Sequence, residues 1–121
     1  MSKKLFLILF FFALFSLVIS QQLTISQALT SSWNHNGQPF SVWDVRVRNT
    51  GKAIVFGATI VGVSNLELEN VWSVEQISSN KFSFPKYISQ NGGLKNGTYF
   101  NFGYINKSEQ PAIFNIIDVI N

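Results

Sequence analysis

Beyond residue 21, apolar and polar residues alternate with a period of two along most of the chain. Over residues 23–33, Leu23, Ile25 and Leu29 fall on one side and Thr24, Ser26 and Thr30 on the other, which predicts a strand. Residues 38–48 repeat the pattern, with Trp43, Val45 and Val47 on one face and Phe40, Val42, Asp44 and Arg46 on the other. Asn34-His35-Asn36-Gly37 between them is a turn by composition, and Asn49-Thr50-Gly51 is a second, tighter one. A third strand is expected over residues 52–63, with Gly57 and Gly62 at bulges or close approaches. Residues 66–77 hold one or two short strands around Trp72, and residues 82–87 another extended piece. Pro85 cannot donate to a ladder and holds Phe84 extended, so Tyr87 is expected at a sheet edge or just off it. After a Gly- and Asn-rich break at residues 89–97, residues 98–105 alternate with Phe100, Phe102 and Tyr104 on one side, and residues 112–120 close the chain. About seven short strands with no helical period in this part predict an all-β fold, an antiparallel β-sandwich, with a small open barrel as the alternative.

Residues 1–20 follow a different pattern. Lys3 and Lys4 precede an uncharged apolar run from Leu5 to Ile19, and Val18 and Ser20 make an acceptable cleavage site. This is the form of a cleavable secretory signal peptide, giving a mature domain over residues 21–121; an uncleaved anchor is the competing reading, for which the run is short. Cleavage removes two of nine basic residues, so seven face six acidic ones and the net charge falls from +3 to +1. No basic patch calls for nucleic acid, and no later stretch is apolar and long enough to span a membrane. There are no cysteines, so a secreted domain of this size depends on packing alone. Asn96-Gly97-Thr98 and Asn106-Lys107-Ser108 match the N-glycosylation acceptor pattern, which would mark exposed positions near strand ends.

The inventory of reactive side chains argues against an enzyme. The single histidine, His35, lies in a polar turn without an adjacent acid, and no thiol is available as a nucleophile. A glycosidase needs two carboxylates facing across a cleft, whereas Glu67 and Glu69 share a strand face and Asp44, Glu75, Glu109 and Asp118 are scattered. One histidine and no Asp-rich loop offer nothing for a metal or cofactor site. The aromatics are the strongest remaining signal. Trp43 and at least two of Phe100, Phe102 and Tyr104 belong to the core by parity, Phe40 points outward, and periodicity leaves Trp33, Trp72 and Tyr87 open between burial and exposure.

The order and spacing of several residues resemble carbohydrate-binding module family 49, the cellulose-binding domains of plant endoglucanases and of secreted amoebal proteins. The matching positions are Leu23-Thr24-Ile25 with Gln27, Ser31-Ser32-Trp33, Gly37, Phe40, Val47, Asn49 and Trp72. They continue with Phe84-Pro85 and Tyr87, Gly103-Tyr104-Ile105 and Pro111-Ala112. The resemblance implies a non-catalytic β-sandwich that binds cellulose or a related β-glucan through Trp33, Phe40, Trp72 and Tyr87. Phe40 stands where the family usually has Tyr, and Tyr87 where it usually has Trp. A ring covering about 100 Å² of combined apolar surface contributes about 2–3 kcal/mol, from which association costs subtract. Hydrogen bonds from Gln38 or Gln76 are expected to orient the sugar. A secreted protein of extracellular matrix or cell wall follows, with polysaccharide as partner. The alternative is an adhesion domain that uses the same aromatics to bind a matrix protein.

Overall fold

The computed structural model describes residues 22–121; the expected signal peptide lies outside the described residues. Eight strands form two four-stranded antiparallel sheets. The first has the order β1(Leu23–His35), β2(Gln38–Asn49), β7(Tyr99–Asn106), β4(Leu68–Trp72). The second has the order β5(Glu75–Ser78), β6(Lys81–Ser83), β3(Gly57–Ser64), β8(Ile113–Ile120). This is the predicted sandwich.

Alternation fills the space between the sheets. Val45 and Val47 from β2, Phe100, Phe102 and Tyr104 from β7, Ile60 from β3, Phe82 from β6 and Phe114 from β8 are buried, and Trp43 packs half-buried against them. Phe114 meets Phe82, Phe102 and Tyr104 edge-on at 5.5–6.4 Å between centroids, and Phe84 meets Phe100 at 4.6 Å. Edge-to-face pairs of this kind add about 0.5–1.5 kcal/mol each beyond the area they bury.

The sheets are also tied by a polar clip. Tyr104 Oη donates to Gln27 Oε1 (2.6 Å) and accepts from the Ala112 amide (2.8 Å), while Gln27 Nε2 donates to the Ala112 carbonyl (2.8 Å). Gln27 belongs to β1 and Ala112 leads into β8, so the hydroxyl joins an edge of one sheet to an edge of the other. Burial pushes the Tyr104 phenol up from 10.0 to about 12, despite the hydrogen bond from Ala112, which acts the other way.

Three elements depart from the pattern read along the chain. The hairpin turn is only Asn36-Gly37, both at positive φ (50° and 80°), the backbone a two-residue turn requires, so β1 runs on to His35. β3 starts at Gly57 rather than at residue 52. The preceding loop is held by Asn49, whose Nδ2 donates to the carbonyls of Ala53 and Leu94 (2.8 Å each) and whose Oδ1 accepts from the Gly51 amide. Lastly, the extended piece predicted over residues 82–87 ends at Ser83. Pro85 precedes a short helix, α1(Lys86–Gln90), anchored by buried Ile88. Gly57 and Gly62 do lie at register shifts of β3 against β8, and a Cβ on Gly62 would come within 2.5 Å of the Leu66 side chain.

Candidate carbohydrate-binding face

The outer face of the β1-β2-β7-β4 sheet gathers three of the four expected aromatics. Trp33 owes its place there to a β-bulge. Leu29 pairs with Trp43 and Ser31 with Val42, so Thr30 is the extra residue and alternation restarts after it. Were Thr30 itself paired in a regular ladder, Trp33 would share the inward face of Leu23, Ile25 and Leu29. With it, Trp33 lies directly opposite Phe40, on the outward face that parity along β2 assigns to Phe40. The two rings are parallel to within 9° at a centroid separation of 5.5 Å. They form one stacked unit at the hairpin end rather than two separate platforms.

Trp72 ends β4 and pairs with Gly103 of β7. Its indole lies across β7: a Cβ at position 103 would sit 2.5 Å from Nε1, Cε2 and Cζ2. Any side chain there would push the ring away, so glycine is what lets the indole lie against the sheet. Gly103 pairs on its other side with Asp44. Phe40 and Arg48 stand four residues to either side of Asp44 on the same face, about 13 Å away at ~3.3 Å per residue. Trp72 therefore sits midway along the face, with the Trp33–Phe40 stack at one end. Trp33 is 41% exposed and Trp72 40%, so both present ring surface to solvent.

Tyr87 is placed differently. It lies in α1, outside both sheets, and is 50% exposed. Tyr99, which the sequence reading did not single out, takes the far end of the face, opposite Arg48. Its signal was present: it is out of phase with buried Phe100, Phe102 and Tyr104, hence outward. Between Tyr99 and Trp72 lies a polar patch in which Asn101 Nδ2 approaches Asp44 Oδ2 (3.4 Å). Asn101 Oδ1 is buried without a hydrogen-bond partner, at a cost on the order of 1–3 kcal/mol.

Of the two glutamines expected to orient a sugar, Gln38 stands two residues from Phe40 on β2, and Gln76 lies on the other sheet. Gln38 Nε2 donates to the carbonyls of Pro39 (3.1 Å) and Lys107 (3.0 Å), and Gln76 lies in β5 of the other sheet, lining a shallow depression with Leu68, Glu69 and Asn70. The expectation that both glycosylation patterns mark exposed positions fails at Asn106, which is 0% exposed. Its Nδ2 donates to the carbonyls of Asn65 (2.8 Å) and Gln110 (2.9 Å), and its Oδ1 accepts from the Glu67 amide (2.7 Å). Asn96 is exposed. Among the described residues, no group of three or more His, Asp or Glu side chains could hold a metal ion, and no helix is long and apolar enough to cross a membrane.

A search of curated proteins returned no relative. A family model does match, described as carbohydrate binding domain CBM49, over residues 23–109, well over half of the chain.

Proposed function

The chain belongs to the carbohydrate-binding domain family CBM49, and from that premise we propose that it is a secreted, non-catalytic module that binds cellulose or a related β-glucan. The binding surface is the outer face of the β1-β2-β7-β4 sheet, with Trp72 at its centre and the Trp33–Phe40 stack at one end. The observation that carries this reading is the indole of Trp72 laid across Gly103, on the same face as that stack. A β-linked glucan presents apolar sugar faces, and rings held against a rigid sheet cover them without a large ordering cost. Tyr87, exposed on α1, is a further candidate ring.

A role in binding alone is supported by the chemistry at hand. His35 lies at the hairpin, with Asn36 Nδ2 3.3 Å from its Nε2, and the face carries aromatic and amide groups rather than a carboxylate pair across a cleft. Residues 1–20 would direct the chain to the secretory route and residues 21–121 form the binding domain, working in extracellular matrix or cell wall. On that route Asn96 is the glycan acceptor. Asn106 is not, because its amide nitrogen already serves two carbonyls inside the fold.

The test is retention on microcrystalline and on amorphous cellulose of protein expressed from the full chain and recovered from the medium. Trp72→Ala, checked for folding by circular dichroism, is measured alongside. Removing a ring worth about 2–3 kcal/mol lowers affinity about 30- to 150-fold. A folded wild-type protein that stays in the supernatant on both celluloses would overturn the reading and favour a protein partner.

A further inference from the structure

The end of the outer face away from the hairpin has a different chemistry. The Arg46 guanidinium carbon lies 3.9 Å from the centroid of the Tyr99 ring, and that of Arg48 lies 5.1 Å from it. Both arginines come from β2, two residues apart and therefore on one face. Arg48 Nη1 also donates to the Gly97 carbonyl (3.1 Å), which fixes its direction. Among the described residues no ion pair engages either guanidinium. Asp44, the next outward position after Arg46, directs its carboxylate to Asn101 instead. Two cations are thus held on one ring without a direct ion pair.

The patch is local. Residues 22–121 hold seven Lys and Arg against six Asp and Glu, so no overall field explains two adjacent guanidiniums without an ion pair. A guanidinium stacked on an aromatic ring can still offer its N–H edge, which matches a carboxylate in bidentate geometry. Among the described residues Arg46 makes no side-chain hydrogen bond with that edge, and Arg48 keeps the N–H groups that Gly97 does not take. The patch also lies in line with the aromatics. A polysaccharide running along β2 from the Trp33–Phe40 stack past Trp72 next meets Arg46 and then Arg48.

Resting on the glucan-binding reading above, we propose that Arg46, Arg48 and Tyr99 form a subsite for a carboxylate-bearing sugar, so that the face prefers β-glucan chains carrying uronic acid units. Tyr99 is a positioning residue, which acts by holding the two guanidiniums. Phe40 and Arg48 are eight residues apart, about 26 Å at ~3.3 Å per residue, well beyond a Debye length of about 10 Å at 0.1 M salt. The arginines therefore leave stacking at the hairpin end unchanged.

Three soluble ligands of equal length test this by calorimetry on the full-length expressed protein: a cello-oligosaccharide, the same oligosaccharide oxidised at C6 to carboxylates, and its sulfated form. Wild type is expected to bind the carboxylated chain about three- to tenfold more tightly than the neutral one at 0.1 M NaCl, and to lose that margin at 1 M. The double variant Arg46→Gln/Arg48→Gln loses the margin and binds neutral and carboxylated chains with equal affinity. Arg46→Lys, which keeps the charge but not the planar fork, recovers less than half of the margin. An equal gain from sulfate shows that charge alone is read and overturns the carboxylate assignment. Neutral binding without any carboxylate margin, or a margin that survives the double variant, overturns the subsite and leaves the glucan reading intact. Failure of all three ligands to bind sinks both.

Discussion

The two sheets of the sandwich are built from the same inward alternation but carry very different outer faces. On the β1-β2-β7-β4 sheet, Trp33, Phe40, Trp72 and Tyr99 all point outward, and local irregularities put them to use: the bulge at Thr30 turns Trp33 out, and Gly103 makes room for the Trp72 indole. The β5-β6-β3-β8 sheet also has bulges, beside Gly57 and Gly62, yet the only aromatics on its strands are Phe82 and Phe114, both buried. Its outer side shows Thr59, Val61, Lys81 and Ile117. The register shift at Thr30 precedes an outward ring, whereas those beside Gly57 and Gly62 precede none. Equal folding demands thus leave the two outer faces with unequal chemistry.

The largest expected effect lies just behind the binding face. Asn106→Ala removes three hydrogen bonds at the end of β7 and leaves buried backbone groups unpaired, and it should cost about 3 kcal/mol or more of stability in urea unfolding. A loss under about 1 kcal/mol would mean that Asn106 is free enough to carry a glycan after all. Next comes Gly103→Val, which leaves every outward ring in place chemically but displaces Trp72. Retention on cellulose should fall about tenfold or more while circular dichroism is unchanged. Its counterpart on the other sheet is Gly57→Ala, where a Cβ would meet Ile120 Cδ1 at an ordinary 3.6 Å, and binding should not change. If the two glycine variants behave alike, the contrast between the faces is lost.

A third substitution separates the clip from the face. Tyr104→Phe leaves the Ala112 amide without its acceptor and should cost about 1–3 kcal/mol at neutral pH, with binding per folded molecule unaltered. The sign of its pH dependence follows from the raised folded-state value. The wild-type phenol's contribution is complete below pH 10, where the unfolded tyrosine ionises, and is lost as pH rises through about 12. Alkaline unfolding curves of wild type should therefore fall across that window, and those of Tyr104→Phe should stay flatter. The smallest effect is expected from deleting Thr30. The ladder would become regular, Trp33 would still face Phe40, and cellulose retention should change less than about threefold.

Much of the fold was legible because a half-buried strand writes its two faces into the chain. The outward phase of Phe40 and the inward phase of Phe100, Phe102 and Tyr104 both follow from alternation, and the structure agrees. Trp33 was open because one bulged residue inverts parity, and nothing in Leu29-Thr30-Ser31 marks a bulge. Trp72 was open for another reason: its position depends on Gly103, a residue thirty-one places away and across a strand pairing. The helix α1 was missed because five residues are too short to show a period, and Pro85 reads equally as the end of a strand. The residues behind the family resemblance divide along the same lines. Gln27, Tyr104 and Ala112 make the clip and Asn49 holds a loop, whereas Trp33, Phe40, Trp72 and Gly103 make the face.

The claim that one outer face alone binds glucan is tested most directly by titrating ¹⁵N-labelled protein with a soluble cello-oligosaccharide and following amide and indole resonances. The account predicts that shifts cluster at the Trp33 and Trp72 indole N–H groups, Gly103 and Phe40, with Thr59, Val61 and Ile117 unmoved. Shifts centred on Thr59 and Ile117, or none at ligand concentrations that release the protein from cellulose, would contradict it.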